Sequence, residues 1–378
     1  MCNPFMKIAV NTRFLLKDQL EGIGWYTFEL LKCMVEQHPE EEFIFFFDRP
    51  YSDQYIFAKN ITPLVLFPPA RHPVLWHCWF EWSVARALKK YEADVFLSPD
   101  GYASLSTSVK TVMVTHDIAH VHYPEQIAFL ARKYYQEMVP RFLKHVQKVV
   151  TVSEFTRSDV LNAYPIDPQK VVAVYNGCRK EFQVIAANEK NKIRKKYAGG
   201  QEYFFYVGAV HPRKNVHRLI AAFDQFKTNT KSKKKLLIGG RFAWKTGAVK
   251  SAYDNAIHQE DIVFLGYLKN EEVPKLMGAA FALTYVSLFE GFGLPLVEAM
   301  NCGVPFITSN CSSMPEVAGD AGMLVSPESI PEIYQALQEL EENKALYQQL
   351  INNGRKQQLK FSWELASEQV YDLLIALV

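Results

Sequence analysis

Apolar residues in this chain fall into two alternating textures. Short runs rich in Val, Ile and Phe lie at 7–11, 42–47, 64–67, 94–97, 111–115, 148–152 and 171–175, then at 203–207, 236–238, 261–268 and 304–307. Between several of them apolar positions return every three or four residues, as in WYTFELLKCMVEQH (25–38) and VHRLIAAFDQF (216–226). The short runs predict buried strands and the periodic stretches predict helices. Strands alternating with helices predict parallel sheets covered on both faces. Ligands of such sheets bind beyond the carboxyl ends of the strands. The residues just after each run are therefore the ones to read for chemistry.

The richest of these stretches is YVSLFEGFGLPLVEAMNCG, residues 285–303. An apolar run ends at Glu290. Gly291 and Gly293 flank Phe292, and Leu294-Pro295 opens a periodic run that closes at Gly303. This predicts strand, glycine turn, helix. Pro295 suits a first helical turn, where its missing N–H leaves no bond unmade, and Gly303 suits a helix stop. A glycine turn lets a ligand approach the backbone, and a helix start offers unpaired N–H groups to phosphate. Glu290 on the turn and Glu298 in the helix have seven residues between them. Such carboxylates accept bonds from sugar hydroxyls and stabilise a developing oxocarbenium charge.

Other strand ends carry matching chemistry. The run 203–207 leads to Gly208, then to Arg213, Lys214 and Asn215 before a helix, an arrangement suited to a diphosphate. Gly266-Tyr267 forms a turn after the apolar run that starts at 261. Gly22 and Gly24 stand between the first run and its helix and read as a ligand-admitting loop, although a plain turn explains them too. His116-Asp117 follows 111–115. A neutral imidazole there can donate to a hydroxyl while a partner fixes its other nitrogen. A satisfied buried histidine is the alternative. His116 and His120 are four apart, which on one helix would suit a metal, but Pro124 argues against a continuing helix. Ser153 suits a helix N-cap before Thr156 and Arg157.

Together these motifs resemble retaining glycosyltransferases of family 4, which have the GT-B fold, and bacterial mannosyltransferases in particular. The resemblance rests on the Glu-x7-Glu spacing, on GFGLP (291–295) and on MPEVAGDAG (314–322). It implies two Rossmann-like domains facing a cleft: 1–180 on the acceptor side, 181–357 binding the nucleotide sugar, and a helix in 358–378 crossing back to the first domain. It implies that Arg213 and Lys214 neutralise the leaving diphosphate, that Glu290 holds donor hydroxyls and that Glu298 binds the ribose. His116 would steady the sugar. Gly22, Gly24, Gly208, Gly266, Tyr267, Gly291, Phe292, Gly293, Leu294 and Pro295 would line the donor, with backbone near 266 meeting the base. The expected reaction is retaining transfer from a nucleotide sugar, GDP-mannose for preference, to a glycan or lipid-linked acceptor in cell-envelope polysaccharide synthesis. No side chain stands out as a covalent nucleophile, which favours same-face substitution with a phosphate oxygen taking the acceptor proton. No cofactor is expected. No Asp-x-Asp cluster calls for a metal. An epimerase or phosphorylase on the same fold, or a non-catalytic nucleotide-sugar-binding protein, are the competing readings.

Composition narrows the setting. A chain of 378 residues, 49% hydrophobic and 22% charged, predicts two globular domains. A net charge of +2 gives no general case for nucleic acid. Six dispersed cysteines without CxxC spacing read as reduced thiols. No apolar run reaches the ~18–20 residues of a membrane span. A cytoplasmic protein is expected, with the inner membrane face as a second setting. RHPVLWHCWFEW (71–82), and the segment 126–148 with Arg132, Lys133, Arg141, Lys144, His145 and Lys148, suit an anionic lipid surface as well as ordinary core and solvated faces.

Overall fold

The computed structural model describes residues 5–17, 20–241 and 247–378. Cys2 lies outside them. The chain forms two compact units, Met1–Gly177 with Ser362–Val378, and Cys178–Phe361.

The first unit is built on seven parallel strands: β1 (Lys7–Asn11), β2 (Glu42–Phe47), β3 (Ile61–Val65), β4 (Val95–Ser98), β5 (Lys110–Thr115), β6 (Lys148–Thr151) and β7 (Val171–Ala173). Their order is β3-β2-β1-β4-β5-β6-β7. In β2, Phe43, Ile44, Phe45 and Phe46 are all fully buried, as expected of a strand covered on both faces. Each such phenylalanine contributes on the order of 2 kcal/mol of burial free energy. One face joins Phe46, Phe96 and Met113 to Trp79, Phe80 and Phe142. The helix Gly22–Gln37 packs on the terminal helix Trp363–Ile375, which also contacts β4 and β5. Gly177 lies so close to that helix start that a Cβ would meet Trp363 N at 2.1 Å.

The second unit has six parallel strands: β8 (Tyr203–Val207), β9 (Lys235–Gly239), β10 (Ile262–Gly266), β11 (Ala282–Tyr285), β12 (Phe306–Ser309) and β13 (Gly322–Val325), ordered β10-β9-β8-β11-β12-β13. In each sheet the unit's first strand lies beside its second and its fourth, so the order reverses at β1/β4 and at β8/β11. Such reversals are where α/β sheets open a ligand crevice. Two Rossmann-like units with a terminal helix returning to the first are the GT-B architecture.

Several elements differ from their sequence reading. β3 runs Ile61–Val65 rather than 64–67, because an edge strand tolerates Pro63. β12 starts two residues later than expected. β13 was not foreseen; its first residue, Gly322, sits where a Cβ would meet the Phe306 ring at 2.1 Å. Gly22 and Gly24 do not form a loop before the helix. They occupy its first turn, and a Cβ on Gly24 would meet Phe14 O at 2.7 Å. Gly24 thus packs the helix start closely against the segment after β1, while Gly22 faces open space.

Candidate active site

At the β8/β11 reversal three side chains meet. Lys214, beyond β8, donates from Nζ to Glu290 Oε1 at 2.5 Å and to Tyr285 Oη at 2.7 Å. The Tyr285 hydroxyl, at the end of β11, donates to the same carboxylate oxygen at 3.0 Å. Burial pushes the Glu290 carboxyl up, but Lys214 and Arg213 together hold it below the ordinary carboxylate value. Burial and the neighbouring Glu290 raise Tyr285 far enough that its phenol keeps its proton. The result is a compact charge pair with a fixed neutral donor.

Backbone bonds hold these groups in place. Arg213 donates from Nη1 to Phe289 O at 3.3 Å, while Leu288 N donates to Arg213 O at 2.8 Å. Asn215 adopts a left-handed conformation (φ 60°) and ties Val286 O and Pro327 O with its Nδ2. Ser313 Oγ lies 2.9 Å from Glu290 O and 3.0 Å from Phe292 O, its one hydrogen shared between them, and Glu290 N donates to Ser312 Oγ. These bonds set the turn through Gly291 and Phe292. Gly293, at φ 98°, then starts the helix Leu294–Asn301 with Pro295 in its first turn. The sequence places Tyr285, Glu290, Gly293 and Pro295 in one strand-turn-helix, and the structure keeps them there.

Beside this turn, β9 and β10 end in glycine and β8 is followed directly by one. Gly208 N donates to Gly239 O, and Gly240 N donates to Gly266 O. Gly240 passes so close to Gly208 that a Cβ would meet its carbonyl oxygen at 1.8 Å. Gly266 faces open space, and Tyr267 beside it is exposed. A backbone-lined ledge therefore runs along the carboxyl ends of β8, β9 and β10.

Glu298, in the helix after the turn, pairs with Arg179 Nη2 at 3.5 Å. Burial raises its carboxyl above the ordinary value although Arg179 opposes the rise. Sequence reasoning did not find Arg179, which sits in a polar stretch with no motif. It also missed Tyr285, a phenol inside an apolar run that reads as core.

In the first unit His116 lies beyond β5, with Nε2 2.8 Å from Pro99 O and its ring edge-on to Tyr26 at 4.7 Å between centroids. Burial lowers its pKa, against the raising pull of the Pro99 carbonyl, Asp117 and Asp100. His120 pairs with Tyr164 and His122 with Asp159, so the three histidines have separate partners. Among the described residues no three His, Cys, Asp or Glu side chains gather as a metal site. Ser153 Oγ accepts from Thr156 N at 3.0 Å, a helix cap.

Residues 20–182 match the family Glycosyltransferase Family 4, and residues 188–357 match Glycosyl transferases group 1. The chain is a GT-B-fold glycosyltransferase related to these families. O-antigen chain mannosyltransferase B of Escherichia coli is 28% identical to it over 376 residues, 96% of this chain and 98% of that protein. Among solved structures, sucrose-phosphate synthase from Thermosynechococcus elongatus superposes with a TM-score of 0.79 at 17% identity, covering 99% of this chain and all of that one (100%). Anabaena HepE in complex with UDP-glucose gives 0.76 at 18% identity, with 98% and 100% covered. At such identities the structural likeness speaks for the fold. In this glycosyltransferase the group 1 match lies entirely within the second unit, and the Lys214–Glu290 pair belongs wholly to it.

Proposed function

We propose that this glycosyltransferase moves a sugar from a nucleotide donor to a hydroxyl of a glycan or lipid-linked acceptor in envelope polysaccharide synthesis, with retention at the anomeric carbon. The observation that carries the reading is the Lys214–Glu290 pair at the β8/β11 reversal, beside the glycine ledge. Arg213 and Lys214 stabilise charge on the diphosphate as the bond from C1 to its oxygen breaks, the kind of electrostatic contribution that dominates such chemistry. Glu290 accepts from donor hydroxyls, Glu298 from the ribose, and His116 contacts a substrate hydroxyl. Backbone along Gly208, Gly266 and Tyr267 follows the nucleotide. The acceptor oxygen bonds to C1 on the face the diphosphate leaves, and a phosphate oxygen takes the acceptor proton. With two cations at the diphosphate, no metal is needed.

The name of the Escherichia coli relative supports mannose, so GDP-mannose is the first donor to test, with UDP sugars beside it. Thermal shift across a nucleotide-sugar panel identifies the donor, because a bound donor stabilises the folded chain. Transfer is then assayed with and without EDTA, and the product's anomeric configuration is read by NMR. Turnover that EDTA abolishes and a divalent ion restores counts against metal independence. Inversion counts against retention. Interconversion of free nucleotide sugars without acceptor indicates an epimerase, and binding without turnover a sensor.

A cytoplasmic protein resting on the inner membrane face fits a lipid-linked acceptor. No helix among the described residues is long and apolar enough to span a membrane. The helix Phe129–His145 exposes Phe129 (56%) and Leu130 (54%) beside Lys133, a combination suited to anionic lipid. Sedimentation with phosphatidylglycerol vesicles tests this; equal recovery with neutral vesicles, or none with either, removes it.

A further inference from the structure

The two sheets reverse their strand order in the same way, and each reversal holds a close pair of opposite charges. In the second unit the pair is Lys214–Glu290. In the first it is Arg13, two residues past β1, and Asp100, two residues past β4. Arg13 Nε lies 2.5 Å from Asp100 Oδ2, and the side chains are only 4% and 2% exposed. The guanidinium stacks over the Tyr102 ring at 4.1 Å, with Phe14 and Phe80 further out. Rings close the pair off, so it is no ligand site itself. Burying two charges is costly, and apolar packing would serve stability as well. The pair must be holding something.

Its grip can be followed atom by atom. Asp100 Oδ1 accepts from Tyr102 N at 3.3 Å and from Ser98 Oγ at 3.4 Å, and Asn11 Nδ2 donates to that same Ser98 Oγ at 3.1 Å. The loop 99–102, with Gly101 at φ 82°, is thus tied to β1 and β4 together. The group this loop presents to β5 is the Pro99 carbonyl, 2.8 Å from His116 Nε2. A carbonyl only accepts, so Nε2 carries the hydrogen. A neutral ring carries one, which leaves Nδ1 bare. Burial keeps the ring neutral, and Tyr26 packs edge-on to fix its plane. Nδ1 has no hydrogen-bond partner among the described residues.

We infer that Arg13 and Asp100 are positioning residues that act through the Pro99 carbonyl to hold His116 in its Nε2–H form, so that Nδ1 offers a lone pair to a substrate hydroxyl. This reverses the expectation of a donating imidazole. It rests on the reading of His116 as a substrate contact.

The ring's tautomer tests the inference directly. The full chain, labelled with 15N-histidine, is recorded by long-range proton–nitrogen correlation, and His116 is assigned by its loss in H116Q. The expected result is a neutral ring with hydrogen on Nε2 from about pH 8 down to the ordinary histidine midpoint of about 6.5, where a free ring is half protonated. Hydrogen on Nδ1, or an even mixture at neutral pH, overturns it. S98A and D100N loosen the loop by a little and by a lot. In both, the His116 signals should move towards the two-tautomer average, and in D100N kcat should fall on the order of tenfold or more, with donor KM changing far less. Unchanged His116 signals in either folded variant overturn the positioning role. H116Q addresses the substrate contact on its own: full turnover there overturns the lone-pair role while the wild-type tautomer still decides the positioning.

Discussion

Lys214 Nζ sits 2.5 Å from Glu290 Oε1, with side chains 16% and 10% exposed. Each is the other's main charge partner, and Tyr285 bonds to both. The residues come from segments 76 positions apart, joined only because β8 and β11 are neighbours. Removing one partner strands the other in a poorly solvated place. K214M should therefore cost about 3 kcal/mol of stability, whereas E290Q, which keeps an accepting oxygen, should cost closer to 1. In the proposed reaction both should lower kcat on the order of 10²-fold or more, since it assigns Lys214 to the leaving diphosphate and Glu290 to the donor hydroxyls. Denaturant titration and transfer rates measured together check this. A K214M chain as stable as wild type would show the pair to be loosely held.

The way stability depends on pH follows from the same burial. His116 and Glu290 both titrate lower in the folded chain than in the unfolded one. The unfolded chain thus binds more protons, and each contribution is present above the unfolded value and lost as pH falls through the folded value. His120, His211 and His217 are also held low by burial and act in the same sense. Melting temperature should be flat near pH 7–8, decline as pH drops below about 6.5, and decline again below about 4.5 as Glu290 takes its proton. H116Q should shallow the first decline. Glu298 has the opposite sign, being held high, so it softens the fall at acid pH. A melting temperature that rises between pH 7 and pH 5 would contradict this assignment.

Much of this was legible along the chain, for physical reasons. Strands buried on both faces leave unbroken apolar runs, so β1, β2 and β8 could be read to the residue. β3 was misplaced because Pro63 normally argues against a strand, and only its edge position permits it. β13 was hidden because Gly322 looks like a turn until the Phe306 ring beside it is seen. The Glu290 turn and Lys214 announced themselves through glycine and proline chemistry. Arg13 and Asp100 did not. They lie 87 positions apart, neither belongs to a motif, and only the strand order brings them together. Tyr285 resembles any core aromatic until its hydroxyl is seen between a cation and a carboxylate.

Arg179 gives a kinetic prediction. Its guanidinium packs over Phe182 and reaches Glu298, whose carboxyl burial has raised. The charge on Glu298 also adds to the rise that burial gives the Cys302 thiol, and Lys190 opposes it. Arg179 is the group opposing the rise at Glu298, so R179A should lift the Glu298 pKa further. In the proposed donor complex a ribose hydroxyl bonds most strongly to the ionised Glu298 oxygen. In wild type, donor KM should climb as pH falls through the raised value. In R179A that climb should begin at higher pH, while kcat at saturating donor changes little. KM profiles that overlay in the two proteins would detach Arg179 from donor binding.

The glycine ledge separates two kinds of glycine. Gly240 has φ 147° and its Cβ position lies 1.8 Å from Gly208 O, a backbone atom that cannot step aside. G240A must part β8 from β9 at their carboxyl ends, where Gly208 N bonds Gly239 O. It should cost more than about 3 kcal/mol and, with the nucleotide seated as proposed, abolish donor binding, because the backbone ledge is displaced. Gly266 has φ 67° but open space around it. G266A should cost only about 1 kcal/mol, the usual price of a left-handed alanine, and leave the fold intact. Donor affinity should then weaken only if the backbone at Gly266 touches the nucleotide. Thermal melts with and without donor read both terms. Equal destabilisation by the two substitutions would mean that conformation, not the Gly208 contact, sets the requirement for glycine along this ledge.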